Sequence, residues 1–308
     1  MEVEARIQVV NLPSKEITAE RELRIRLWEE IGRDDRSNVQ PRLLRERGIY
    51  GGAQGIWVDK SRTVALSENG QGVTVAILHT GRHYPDDLSE DGVIYHYPDT
   101  NRGPNRDANE ISATQNAGRY EIPIFVILPG KARQTTRHVK LGWVEDWDDD
   151  GGLFLITFGE SPPQTASPPR PEEPFSLTGD VDQGRTKSKT RKHQQRFRFR
   201  VLQQFGHKCA ACDIKLPQLL IAAHIRGKSE RGSDDWRNGL PLCGTHHDAF
   251  DLHLFGIEPV TLMFEFPPKV MAKDLGIVSD KISPIHGQPH REALKWRWRR
   301  TQKAWSNE

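Results

Sequence analysis

Apolar residues in the first half of the chain occur in short runs that are separated by glycine, aspartate and asparagine. Five of these runs are rich in β-branched and aromatic residues, and they cover 72–78, 92–95, 122–128, 138–143 and 152–158. Short apolar runs of this kind, bounded by turn residues, predict β-strands. The pattern therefore predicts a mostly β N-terminal half that folds as a barrel or a strongly curved sheet.

Helical patterns lie on both sides of these strands. We predict a helix over Thr18–Gly32, with Thr18 as its N-cap, and a second helix over Val39–Glu46. Apolar residues at helical spacing predict a further helix over 196–205. The remaining predicted elements are a strand over 219–225, a helix over 246–254 and a basic C-terminal helix over 292–305.

A proline-rich segment separates the two halves of the chain. The residues from Ser161 to Thr178 include many prolines and almost no apolar side chains, which is typical of an extended linker. A length of 308 residues favours two domains over one. We therefore predict a domain over 1–160, a linker over 161–184 and a second domain over 185–308.

The composition excludes a membrane protein. Hydrophobic residues make up 35% of the chain, and no run approaches the ~18 apolar residues that a membrane span needs. The N-terminus has no cationic segment followed by an apolar run, so we expect no secretory signal. These features predict a cytoplasmic protein with no membrane partner, in which cysteines stay reduced and are free to bind metal.

The three cysteines of the chain fall within one stretch. Cys209 and Cys212 form a C-x-x-C pair, and Cys243 and His246 form a C-x-x-H pair. Two such pairs, roughly thirty residues apart, are the ligand set and spacing of a tetrahedral Cys₃His zinc site. We therefore predict a structural zinc ion held by these four residues, which would stabilise a hairpin and helix too small to fold alone.

Four further polar residues surround this predicted zinc site in the sequence. His224 ends a short apolar strand, where a fixed imidazole can act as a general base. Asn238 can fix that ring or a backbone carbonyl through hydrogen bonds. His247 and Asp251 are four residues apart on a predicted helix, so both face one side and can hold a divalent cation.

The motifs A-A-H-I at 222–225, N-G-L-P-L-C at 238–243 and H-D-A-F-D at 247–251 resemble a subgroup of the HNH nucleases, a ββα-metal family that cleaves phosphodiester bonds. The resemblance implies that His224 is the general base and that His247 and Asp251 hold the catalytic metal, with Asn238 in support. Many HNH enzymes carry Asp or His before the first histidine, whereas this chain has Ala223. The catalytic metal is then expected to have fewer protein ligands. A structural zinc knuckle without catalysis is the competing interpretation.

The N-terminal half resembles the SRA domain, a PUA-like barrel that reads modified cytosine. The resemblance rests on the glycine-rich stretch 45–56 and on the segment 80–95, which contains G-x-x-Y-x-D-D. It implies that a flipped base stacks on Tyr84 and Tyr95. It also implies that an acid of the motif accepts from the cytosine amino group, and we expect this acid to be Asp87, with Asp86 as the alternative. Ordinary packing of the two tyrosines is the alternative.

A basic run lies between the two predicted domains. From Gln183 to Arg200 there is no carboxylate. Charge runs are usually solvated, but a position between a base reader and a nuclease favours contact with the phosphate backbone. The residues expected to make that contact are Arg185, Lys187, Lys189, Arg191, Lys192 and Arg196.

The sequence thus predicts an α+β protein with an SRA/PUA-like β-barrel, flanking helices and a zinc-stapled ββα-metal domain. Its expected activity is cleavage of double-stranded DNA near 5-methylcytosine or 5-hydroxymethylcytosine, with structural Zn²⁺ and catalytic Mg²⁺ or Mn²⁺. One HNH site cuts one strand, so we expect a homodimer, although two successive visits would also break both strands. Two alternatives stay open: a modified-DNA reader with an inactive nuclease fold, and a nuclease that ignores modification.

Overall fold

The computed structural model describes residues 14–32, 35–51, 55–80, 88–100, 103, 105–130, 135–164, 168–179, 194–282 and 287–306. The fold is α+β. The helices are α1 (Lys15–Ile31), α2 (Pro41–Glu46), α3 (Lys60–Thr63), α4 (Arg106–Arg119), α5 (Gln194–Phe205), α6 (Gly244–Asp251), α7 (Ala272–Leu275) and α8 (Arg291–Trp305). The strands are β1 (Ile56–Val58), β2 (Thr74–Leu78), β3 (Gly92–His96), β4 (Ile124–Pro129), β5 (Arg137–Asp148), β6 (Leu153–Phe158), β7 (Leu220–His224), β8 (Gly239–Cys243), β9 (Gly256–Ile257) and β10 (Phe264–Glu265).

Six strands form one large sheet with the order β1-β2-β4-β5-β6-β3. Strands β2 and β4 are parallel, with Ile77 opposite Val126, whereas β1 runs antiparallel to β2 and β5 runs antiparallel to β4. All five predicted N-terminal strands are therefore confirmed. The predicted barrel is not confirmed. In the described part of the chain, β1 and β3 stand at opposite ends of the strand order and are not paired with each other.

The described residues divide into two compact units, of which the first takes in 14–80, 96–147 and 156–163. Its core lies between α1 and the sheet, where Leu27 and Ile31 pack with Val75, Phe125 and Val139. The helix begins at Lys15 because Ser14, not the predicted Thr18, is the N-cap and accepts a hydrogen bond from the backbone of Ile17. The second predicted helix is present as α2, with proline at its first position.

Helix α4 was not expected from the sequence pattern. Its buried face consists of small and polar residues, so it carries no apolar stripe. Thr114 is hydrogen-bonded to Thr74 of β2, and Asn116 donates to the carbonyl of Gly72. Polar contacts with the sheet, which periodicity does not reveal, thus take the place of an apolar interface.

The second unit takes in the described residues of 88–95, 148–155 and 164–308. It contains two small antiparallel sheets, β7 with β8 and β9 with β10. Helix α5 buries its apolar residues in one cluster with those of β7, β8 and α6, and the list includes Phe197, Val201, Leu202, Leu220, Leu240, Leu242 and Phe250. The predicted domain limits 1–160 and 185–308 stay a prediction. Among the described residues, no helix is long and apolar enough to cross a membrane.

Candidate active site and metal centre

The hairpin β7–β8 and helix α6 form a continuous ββα unit. The two strands pair in register from Leu220 opposite Cys243 to His224 opposite Gly239, so His224 stands at the open end of the hairpin. Cys243 ends β8 and also caps the N-terminus of α6. The strand end, the connecting segment 225–238 and the helix therefore contribute all of the predicted catalytic residues.

Four side chains converge next to this unit. The ligand atoms of Cys209, Cys212, Cys243 and His246 all lie within 4.8 Å of one another, and no other group of three or more such ligands was found among the described residues. His246 Nδ1 lies 3.0 Å from Cys243 Sγ and 3.6 Å from Cys209 Sγ, and Cys212 Sγ lies 4.0 Å from Cys243 Sγ. A tetrahedral zinc site requires ~3.8 Å between sulfurs and ~3.6 Å between sulfur and nitrogen. The cluster can therefore hold a metal ion such as zinc.

The surroundings of the cluster suit metal binding. His246 Nε2 lies 3.0 Å from the carbonyl oxygen of Leu275, a hydrogen bond that leaves Nδ1 free to bind a metal. Burial raises the pKa of Cys212 to about 12, and the neighbouring sulfurs of Cys209 and Cys243 add to the rise. Several thiolates cannot share this space without a cation, so metal binding would release protons and strengthen as the pH rises.

His224 is fixed by two contacts. Its ring stacks on Phe197 of α5, with the ring centroids 3.8 Å apart and the planes 12° from parallel. Its Nε2 lies 3.0 Å from Oδ1 of Asp234 in the segment that joins β7 to β8. An ionised carboxylate only accepts hydrogen bonds. Nε2 must therefore carry a proton, and in the neutral form of the ring Nδ1 presents its lone pair.

Asp234 is held in its ionised form. Burial alone would raise its pKa, but the hydrogen bonds from His224 and Lys228 and their nearby charges outweigh burial and lower the pKa below its ordinary value. Lys228 Nζ donates to Oδ2 at 2.8 Å, so the two carboxylate oxygens serve two different donors. Asp234 was not among the residues predicted from the sequence. Its only signal was an acidic pair just before Asn238.

Asn238 is fully buried and braces the segment that carries Asp234. Its side-chain oxygen accepts from the backbone nitrogen of Arg226 at 3.0 Å, and its amide donates to the carbonyl oxygens of Arg226 and Ser233. The sequence left two kinds of partner open for Asn238, the ring of His224 or a backbone group. The hydrogen bonds go to backbone groups. Its side chain thus fixes the shape of the loop between the strands.

His247 and Asp251 lie on one face of α6, as their spacing predicts. His247 Nε2 lies 3.5 Å from Asp251 Oδ2, and both side chains are partly exposed. Neighbouring ligands of an octahedral cation stand ~3 Å apart, so this separation suits two ligands of one divalent ion. Arg297 of α8 lies 3.6 Å from the other oxygen of Asp251.

The residues assigned to base reading and to the phosphate backbone are mostly outside the described part of the chain. These are Tyr84, Asp87, Arg185, Lys187, Lys189, Arg191 and Lys192. Tyr95 lies in β3 and is half-buried, and Arg196 lies in the first turn of α5. Their proposed roles stay predictions.

Loss of one cluster cysteine should remove the metal and unfold its surroundings. We expect purified protein to contain about one zinc ion per chain, and Cys212→Ser to lower that content and melt the ββα unit. Elemental analysis and circular dichroism measure both effects. An exposed replacement in the same unit, Lys215→Ser, is the control and should keep the metal. Full zinc content and native melting in Cys212→Ser would contradict the assignment.

Comparison with known proteins supports the nuclease part of the chain. Residues 209–258 match the family HNH_2, described as HNH endonuclease. None of the curated proteins matches the chain. A structure of the modification-dependent TagI restriction endonuclease is 16% identical, with 86% of this chain and 91% of that one covered and a TM-score of 0.31.

A structure of KRYPTONITE in complex with mCHG DNA and SAH is 17% identical, with 55% of this chain and 43% of that one covered and a TM-score of 0.26. Both TM-scores are too low to show a common fold, so neither likeness bears on the function of this chain. The family match covers the zinc-ligand cluster, His224, Asn238 and the helix with His247 and Asp251. Residues 209–258 of this chain, which include the ββα unit, are therefore similar to the HNH endonuclease family.

Proposed function

We propose that this protein is a modification-dependent DNA endonuclease. In this proposal the HNH domain hydrolyses a phosphodiester bond near a modified cytosine that the N-terminal domain has flipped out of the duplex. The observation that carries the nuclease part is the fixed ring of His224, held by Asp234 and Phe197 within the ββα unit that also carries the His247–Asp251 pair.

His224 acts as the general base in the proposed reaction. In its neutral form the ring takes a proton from a water molecule at Nδ1. Nε2 keeps its own proton and donates it in a hydrogen bond to Asp234. The oxygen of that water attacks the phosphorus, and the bond to the leaving oxygen of the sugar breaks. A general base held in this way typically contributes ~10²–10⁴-fold to the rate.

His247 and Asp251 are the proposed ligands of a catalytic Mg²⁺ or Mn²⁺ ion. A nitrogen and a carboxylate oxygen suit Mn²⁺ and are acceptable to Mg²⁺. When bound, such an ion stabilises negative charge on the phosphate and on the leaving oxygen. Arg297 lies 3.6 Å from the other oxygen of Asp251 and would help to position this carboxylate.

Asp234 is proposed as a positioning residue that sets the tautomer of His224. Lys228 makes this role testable, because its ammonium group only donates hydrogen bonds. In Asp234→Asn, the amide oxygen would stay on Lys228 and the amide nitrogen would face Nε2 of His224. The ring would then have to accept at Nε2 and carry its proton on Nδ1, where the base is needed.

Asp234→Asn should therefore lower the cleavage rate by ~10²–10⁴-fold, because it removes the general base, while DNA binding changes little. Adding Lys228→Met should restore part of the rate, because the amide can then turn its oxygen toward Nε2. Single-turnover cleavage and binding titrations measure both effects, with Lys228→Met alone as the control. Wild-type cleavage by Asp234→Asn, or no gain in the double variant, would rule out the tautomer argument.

The base-reading role of the N-terminal domain is supported by the SRA-like motifs alone. We propose that this domain has a base-binding pocket that includes Tyr84, Asp87 and Tyr95. A flipped cytosine needs aromatic stacking and an acceptor for its amino group. We also propose that the enzyme acts as a homodimer on duplex DNA, because one HNH site cuts only one strand.

Digestion of matched duplexes tests the reader. We expect cleavage of DNA that carries 5-methylcytosine or 5-hydroxymethylcytosine, and little cleavage of unmodified or N6-methyladenine DNA. Tyr95→Ala should weaken binding to modified duplex by tenfold or more, since stacking is worth ~1–3 kcal/mol per base, whereas Tyr95→Phe should bind like wild type. Equal cutting of all four duplexes would favour a nuclease that ignores modification.

A further inference from the structure

The C-terminal helix α8 carries a stripe of positive charge. Lys295, Arg299 and Lys303 are spaced by four residues, so they share one side of the helix. All three side chains are exposed, and within the described residues none of them has an ion-pair partner. Like charges at this spacing weaken a helix. The stripe therefore lacks the neutralisation that a structural role alone would favour.

Helix α8 is anchored through its other side. Ala293, Leu294 and Thr301 are buried. Arg297 donates a hydrogen bond to the carbonyl oxygen of Phe250 in α6, and its guanidinium lies over the ring of Phe250. These contacts leave the stripe facing away from the domain core.

Two contacts tie α8 to the segment that follows His224. The guanidinium of Arg226 lies 5.1 Å from the ring centre of Trp296. Arg300 forms an ion pair with Glu230. The helix is thus fixed to the loop after the proposed base and, through Arg297 and Asp251, to the end of α6 that holds the proposed metal ligands.

We propose that the stripe Lys295, Arg299 and Lys303 binds the phosphate backbone of duplex DNA beside the site of cleavage. This inference rests on the proposed nuclease function. The stripe extends ~12 Å along the helix at 1.5 Å per residue, a length that spans about three to four phosphates of one strand at a rise of 3.4 Å. Unpaired, exposed cations on a helix fixed beside the active site complement a polyanion.

The test compares two triple variants of the full-length protein on unmodified duplex DNA, without added divalent cation so that no cleavage occurs. One variant replaces the stripe (Lys295→Gln, Arg299→Gln and Lys303→Gln). The control makes a similar charge change at other exposed lysines of the same unit (Lys269→Gln, Lys273→Gln and Lys281→Gln). Glutamine keeps a good helix propensity, and thermal melting checks that both variants are folded.

The stripe variant should bind DNA about tenfold to hundredfold more weakly at moderate salt, because three phosphate contacts are lost. The slope of log affinity against log salt should become shallower by ~2–3, at about 0.9 per contact. The control should match wild type in both respects. Wild-type binding by the stripe variant, or equal losses in both variants, would overturn the inference while leaving the nuclease proposal intact. Failure of the wild-type protein to bind DNA at all would overturn both.

Discussion

The ββα unit depends on the convergence, from three separate elements, of four side chains that can bind a metal ion. Cys209 and Cys212 come from the loop after α5, Cys243 ends β8, and His246 lies in the first turn of α6. A two-stranded hairpin and an eight-residue helix bury too little surface to be stable alone. A metal ion at this cluster would fix the angle between hairpin and helix. The same geometry fixes where His224 and His247 stand.

His224, the proposed general base, needs a second kind of constraint, because metal binding by neighbouring elements would not orient its ring. Phe197 provides a flat surface against the imidazole, and Asp234 accepts the proton of Nε2. Asn238 in turn shapes the loop that presents Asp234, through hydrogen bonds to backbone groups on both sides of that loop. Ring packing, the shape of the loop and the carboxylate thus together fix the orientation of the His224 ring and the position of its Nδ1 atom.

The sequence revealed those features that leave a local pattern. Ligand spacing was enough to predict the Cys₃His cluster, and the spacing of four was enough to place His247 and Asp251 on one face. Asp234 was not recognised, because its contact with His224 depends on how a ten-residue loop segment folds back. Helix α4 was not predicted for a related reason. Its buried face consists of small and polar residues, and its burial becomes evident only from contacts with β2 such as Thr114–Thr74.

In the N-terminal half, too, the local sequence pattern predicted individual elements but not the contacts between them. Alternating short apolar runs predicted all five strands, but they do not determine the order in which strands pair or whether the sheet closes. Strand order depends on long-range contacts, such as the parallel pairing of β2 with β4 across a long connection that includes α4. Local periodicity carries no information about such pairings.

The most direct test of the role of His224 compares the loss of two different imidazoles from the same unit. His224→Asn removes the proposed base, whereas His253→Asn removes a histidine with left-handed backbone geometry that asparagine tolerates. Cleavage rate and DNA affinity are measured for both variants on modified duplex. If His224 is the general base, His224→Asn loses ~10²–10⁴-fold in rate with nearly unchanged affinity, while His253→Asn still cleaves. Near-normal cleavage by His224→Asn would contradict this role.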